Sequence, residues 1–299
     1  MDNASVLVDG LTLPEAPRWH SDRLWFSDIY NHRVCSVAED GTDLKVEADT
    51  PGIPVGLGWL PDDRLLVVVQ DKQRIVRREP DGSVVEHADL SPYAVGFAND
   101  LAVTAGGTAF VGCFGFDLYT NEPVKPGPLM RVTPTGDVTV VGEPLYFANG
   151  PTIVDGKTLV IAESFANRLS AFDIIGDDEL SERRDWATFG PLPTSTDLDK
   201  RYDEIVVAAD GISQADAEGA IWVADFTKTV ASRVLPGGEI VQQVSTGDLN
   251  CFAAALGGAD GRTLFLCTAP AELDIEIRTN EPEGAILACR VPVPVAHAG

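Results

Sequence analysis

The chain has 299 residues, 44% of them apolar and 23% charged, a composition that supports a packed core and excludes disorder along the whole chain. Its 46 Asp and Glu against 22 Lys and Arg give a net charge of −24, which excludes nucleic acid and anionic membrane as default partners. The longest apolar runs, such as 65–69, are too short to span a bilayer, and the opening Met-Asp-Asn-Ala-Ser has neither the basic start nor the apolar stretch of a secretion signal.

In chain order, one phrase recurs. A short apolar segment is followed by a turn and then by a second segment rich in Val, Leu, Phe or Trp. The second segments are 24–28, 65–69, 109–113, 159–163, 221–225 and 264–268, and their starts lie 41, 44, 50, 62 and 43 residues apart. A third segment follows in the same phrase, as at 33–37, 74–78 and 169–172, and a fourth at 83–86. The turns between them carry Asp40-Gly41, Asp81-Gly82, Thr135-Gly136 and Gly237-Gly238, strong hairpin signals between apolar segments. Four short strands every forty-odd residues, repeated six times, predict an all-β six-bladed propeller with four-stranded antiparallel blades. A β-sandwich with extra hairpins is also all-β, but it needs no six-fold repeat. The polar segment 179–186 reads as a surface hairpin. The last blade is expected to begin near Phe252, with its third strand near 285–291, and residues 4–8 are expected to supply its outer strand. Residues 1–299 are thereby expected to form one propeller domain, closed by the N-terminal strand.

The repeat sets up a comparison of equivalent positions. At the start of the innermost strand of each blade stand Glu15, Val55, Asn99, Asn149, Asp210 and, in the last blade, Cys251 or Phe252. Innermost strands converge on the central channel, so one Glu, two Asn and one Asp are expected to face one another around its axis. Unpaired buried carboxylates are costly. Four oxygen-bearing side chains converging on one point suit a hard cation such as Ca²⁺, at roughly 2.3–2.6 Å. Asn149-Gly150 and Asp210-Gly211 are also ordinary turn pairs, and it is their shared register that favours the channel reading.

The segments Leu13-Pro14-Glu15-Ala16-Pro17-Arg18-Trp19, Ala98-Asn99-Asp100, Ala148-Asn149-Gly150 and Ala209-Asp210-Gly211-Ile212 resemble the marks of the regucalcin/gluconolactonase/luciferin-regenerating-enzyme family. The phrases Leu159-Val160-Ile161-Ala162-Glu163-Ser164 and Ala255-Leu256-Gly257-Gly258 are similar to that family too, so the resemblance covers essentially the whole chain. It implies one divalent metal ion in the channel of a six-bladed propeller, Ca²⁺ first, with Zn²⁺ or Mn²⁺ as alternatives. The ligands it implies are Glu15, Asn149 and Asp210. Asn99 matches the residue beside the metal that touches substrate or water. Asp210 matches the catalytic base, with Asp100 second and expected to support the site from the other face of the strand. The implied activity is hydrolysis of a small lactone; phosphotriester hydrolysis, or a non-catalytic Ca²⁺-binding propeller, are the alternatives. The expected partner is a small-molecule substrate, and the oligomeric state is open. One departure stands out. Members acting on sugar lactones carry an Arg two residues before the Asn, where this chain has Phe97. Phe97 and Phe114 are therefore expected to contact substrate, and sugar lactones are expected to be poor substrates.

Other signals point away from rival chemistries. The stretch 150–158 has one residue too many between its glycines for a phosphate-binding loop and reads as a hairpin turn. Asp197, Asp199 and Asp203 lack the central Gly and closing Glu of an EF-hand and read as a solvated loop. The four His (20, 32, 87 and 297) share no register. Five Cys (35, 113, 251, 267 and 289) without C-x-x-C spacing fit a reducing compartment, and the expected location is cytoplasmic. Cys113 and Cys251 read as wall residues. The long stretches 114–128 and 186–204 are candidate binding loops at the channel mouth.

Overall fold

A computed structural model describes residues 2–176 and 178–296; His297 lies outside them. The second strands form where the apolar phrases stand: Arg23–Asp28, Leu65–Val69, Ala109–Cys113, Thr158–Glu163, Ile221–Asp225 and Thr263–Ala269. They are buried on both faces, because each blade is covered by the next. Six hydrophobic clusters fill the gaps between neighbouring blades. Phe110 and Phe172 belong to the cluster between blades three and four, and Phe26 and Phe265 to the one between six and one. Each such side chain contributes about 1.5–3 kcal/mol by leaving water.

The result is a six-bladed β-propeller of antiparallel sheets. Its inner strands are Pro14–His20, Pro54–Trp59, Ala98–Val103, Ala148–Val154, Ala209–Ile212 and Asn250–Gly257. The last packs against the first and completes the ring. Ser5–Leu11 pairs antiparallel with Gly284–Arg290, so the N-terminal segment supplies the outer strand of blade six. Two blades gain an extra short strand. Asp2–Asn3 runs parallel to Ile240–Ser245 in blade five, and Glu179–Leu180 hairpins onto blade four beside Arg184–Thr188.

All six inner strands break register at the same place. The shifts fall at Glu15/Arg18, Pro54/Leu57, Ala98/Leu101, Asn149/Thr152, Ala209/Ile212 and Cys251/Ala253. A bulge interrupts the alternation of side chains and re-aims the residue that carries it. The repeat position singled out in the sequence therefore coincides with the point where each strand turns a side chain into the channel. In blades four and five the following residue is held to glycine by its neighbours. A Cβ on Gly211 would lie 2.3 Å from Ala253 Cβ, and Gly150, at φ +42°, would bring one within 2.5 Å of Ile212 N.

The structure differs from the sequence reading at 197–204. Leu198–Glu204 is a short helix rather than a solvated loop, and Asp197 is its N-cap, accepting from Lys200 N. A second short helix, Ile275–Asn280, is capped the same way by Asp274. Among the described residues, no helix is long and apolar enough to cross a membrane.

Candidate active site

One end of the channel holds a cavity of about 190 Å³. Glu15, Asn99, Asn149 and Asp210 all reach its floor, so the four blades deliver the four oxygen-bearing side chains to one place. Val55 and Phe252 occupy the two remaining positions as apolar wall. Cys251 is buried beside the floor, where burial and the nearby Asp210 and Glu15 carboxylates push its thiol well above the ordinary range. Cys113 is buried and donates to Pro128 O at 3.2 Å. Cys35 and Cys267 are also buried free thiols. Phe114 lines the cavity. Phe97 sits behind that wall, packed edge-on against Phe114 and Tyr119 at centroid distances of 5.7 and 5.3 Å.

Asp100 departs from its expected place. Strand alternation would put it on the face opposite Asn99, but the bulge between Ala98 and Leu101 brings both to the cavity. It is held there by Arg18, whose Nη2 donates to both carboxylate oxygens at 2.8 Å. Arg18 stands in the quoted family segment, yet nothing in its spacing identified it as Asp100's counter-ion.

The electrostatics of the floor separate it from the other buried acids. Asp28, Glu163 and Asp216 are each neutralised by an arginine: Arg33 at 2.8 Å, Arg168 at 2.6 Å and Arg233 at 2.6 Å. With Arg18 engaged by Asp100, Glu15 and Asp210 have no cation of their own among the described residues. Glu15 accepts Ala16 N at 2.7 Å, and Asp210 accepts from Asn149 Nδ2. Burial raises the Glu15 carboxyl to about 8, the Asp100 charge adding to the rise while Ala16 N–H and Arg18 oppose it. Burial first, then the Glu15 charge, raises Asp210 well above the usual carboxylate range. Burial and mutual repulsion favour the protonated forms of both groups; once ionised, their two charges are what one divalent cation would balance.

The donor set fits a hard cation. Among the described residues no three His, Cys, Asp or Glu side chains form a metal cluster; the groups on this floor that could hold an ion are the Glu15 and Asp210 carboxylates and the Asn99 and Asn149 amide oxygens. Oxygen-only ligation of that kind suits Ca²⁺ better than a thiophilic metal. Asn149 is fixed on three sides, by Gly150 N at 2.9 Å, Ser164 Oγ at 3.3 Å and Asp210. Ser164 in turn donates to Ala209 O at 2.7 Å, linking the inner strands of blades four and five under the floor. Asn99 Nδ2 donates to Ala148 O at 3.3 Å.

The two long insertions meet over this floor. Val124 N donates to Thr196 O at 2.7 Å, joining 114–128 to 186–204. Arg201, buried in the short helix, donates twice to Phe165 O, at 3.0 and 2.8 Å, and lies 4.5 Å over the Tyr146 ring. These bonds seat Tyr202 on the cavity with Phe147 and Phe226.

Fold and site together define a six-bladed propeller whose channel opens on an acidic, oxygen-lined floor. Residues 13–270 match the family model described as the SMP-30/Gluconolactonase/LRE-like region, and the chain belongs to that family. Among solved structures it is similar to a luciferin-regenerating enzyme, at 18% identity and TM-score 0.77, over 98% of each chain. It is also similar to a calcium-binding protein, regucalcin, from Agrobacterium tumefaciens (20% identity, TM-score 0.76, 99% of this chain and 95% of that one). A third likeness is to a gluconolactonase from Xanthomonas campestris (21% identity, TM-score 0.70, 97% and 89%). At these identities the structural likeness shows the fold.

Proposed function

We propose that the chain is a divalent-metal-dependent hydrolase that opens the ring of a small lactone with water. The observation that carries this reading is the uncompensated pair Glu15 and Asp210 on a floor shared with Asn99 and Asn149. The family match and the likeness to a gluconolactonase support the choice of a lactone. Glu15, Asn149 and Asp210 would hold the ion, which when bound polarises the lactone carbonyl and favours ionisation of water. Asp210 takes the proton from the attacking water, whose oxygen bonds to the carbonyl carbon. Asn99 orients that water or the carbonyl, its amide held by Ala148 O. The ring C–O bond then breaks, and the ring oxygen takes the proton held by Asp210 and leaves as a hydroxyl, giving a hydroxy acid and restoring the Asp210 carboxylate. Asp100, on the cavity and paired with Arg18, ties the inner strands of blades one and three together beside the site.

The test is acid release from a lactone panel, with a phosphotriester alongside, before and after exhaustive EDTA dialysis. Lactone opening is expected to fall to background and to return with one of Ca²⁺, Zn²⁺ or Mn²⁺. An undiminished rate in the chelated protein contradicts metal dependence. Ion binding without turnover of any ester points instead to a Ca²⁺-binding propeller, the property named for the Agrobacterium protein.

A further inference from the structure

We propose that the cavity selects a lactone bearing a short hydrocarbon or aryl arm and rejects polyhydroxylated sugar lactones. The reaction in this proposal rests on the lactone-opening reading, and the arm rests on the cavity wall. Polar groups that can serve the chemistry are confined to the floor. Above it lies a seventh hydrophobic cluster, half of it from the two insertions, which puts Phe114, Leu118, Phe147, Tyr202 and Phe226 on the cavity. Its rings interlock: Phe114 and Phe147 have centroids 3.9 Å apart, Phe147 and Phe165 5.6 Å, and Phe165 and Tyr202 5.3 Å. A roof packed this way is preformed, so its selectivity does not wait on substrate to order it.

The roof offers a sugar little to bind. Tyr30 lines the cavity, but its hydroxyl is already engaged by Leu273 O at 2.9 Å, which leaves its ring to the ligand. The Gln70 amide and the Tyr119 and Tyr202 hydroxyls have no hydrogen-bond partner among the described residues, and all three residues line the cavity. They come from three separate segments, blade two and the two insertions, and are three groups against the several contiguous hydroxyls of a sugar ring. Each unmatched hydroxyl lowers kcat/KM roughly 5- to 150-fold. Each methylene buried against the roof raises it roughly fourfold. The cavity's 190 Å³ falls below the roughly 300–1,000 Å³ of drug-sized sites, so the arm is short.

The experiment compares three six-membered lactones: a phenyl-substituted valerolactone, unsubstituted δ-valerolactone and glucono-δ-lactone. The aryl lactone is expected to exceed the unsubstituted ring by tenfold or more in kcat/KM, and gluconolactone to fall below both. Phe226 and Leu118 are half-buried on the wall; Leu118 packs on the roof cluster alone, so truncating it to Ala spares the blade cores, whereas Phe226 also packs against the cluster between blades two and three. Phe226→Ala and Leu118→Ala should each cut the aryl-to-unsubstituted ratio several-fold. Calorimetry with the corresponding lactams, which resist hydrolysis, reads the pocket without turnover. If no lactone is opened, the proposed reaction fails while the lactam series still decides the arm. A preference for gluconolactone, tighter binding of its lactam, or an unchanged ratio in both variants overturns the proposal.

Discussion

Asp210→Asn is expected to lower kcat for lactone opening by about 10²–10⁴-fold, the usual cost of losing a general base. The amide keeps an oxygen for a cation and a partner for Asn149, but it cannot take a proton from water. The fold is expected to withstand the change. In the metal-free protein, burial and the Glu15 charge hold Asp210 well above the usual carboxylate range. A carboxyl whose folded pKa is raised stabilises the fold below its ordinary value, and that contribution is lost as pH rises through the folded pKa. The Asn variant has no such loss. Its metal-free melting temperature should therefore equal or exceed that of the wild type, by a margin that grows from pH 5 to pH 9. Steady-state kinetics and thermal melts in chelator check both halves. Turnover within a few-fold of wild type removes Asp210 as the base and makes Asp100 the next residue to test.

Arg18→Met is expected to destabilise the fold by about 3–5 kcal/mol, the cost of breaking a buried ion pair by deleting one partner. The methionine keeps the stem of the side chain, so the loss isolates the guanidinium. Arg18 spans two inner strands, bonding both Asp100 oxygens at 2.8 Å and Leu101 O at 3.2 Å. Without it three carboxylates would share one dry floor. Burial already raises Asp100, and Arg18 is the main influence lowering it. The deficit should thus grow with pH, since protonation of Asp100 at low pH relieves the unpaired charge. Adding Asp100→Asn should recover a large part of the lost stability in urea melts. If the single variant melts like the wild type at pH 8, the pair has no structural role.

Much of the fold was legible because the propeller repeats its rules. Apolar second strands and Asp-Gly turns fixed 33–37 and 74–78 as the observed Arg33–Val37 and Arg74–Arg78. The channel register was legible for a related reason: Glu15, Asn99, Asn149 and Asp210 are polar where apolar residues would pack well. Asp100 was misplaced because strand alternation holds only up to a bulge, and a bulge leaves no composition signature here. Arg18 and Ser164 were missed because they act across blades, on Asp100 and on Ala209 O, and no local spacing reports a partner dozens of residues away. The helix Leu198–Glu204 did leave a signal. Asp197 as cap, Asp199 in the first turn and Arg201 in the last form a helix-start and helix-stop pattern, obscured by reading the acids as a loop. Phe97 was expected at the substrate, and it stands one ring back because Phe114 and Tyr119 cover it.

The proposed reaction depends on a site for one divalent ion at Glu15 and Asp210. Calorimetric titration of Ca²⁺, and then of Zn²⁺ and Mn²⁺, into chelator-stripped protein tests it without reference to any substrate. The expected result is one ion per chain, affinity weakened at least tenfold in Glu15→Gln, and a melting temperature that rises with ion concentration as binding to the native state requires. Absence of binding heat and of any melting shift with all three ions at millimolar concentration would contradict it.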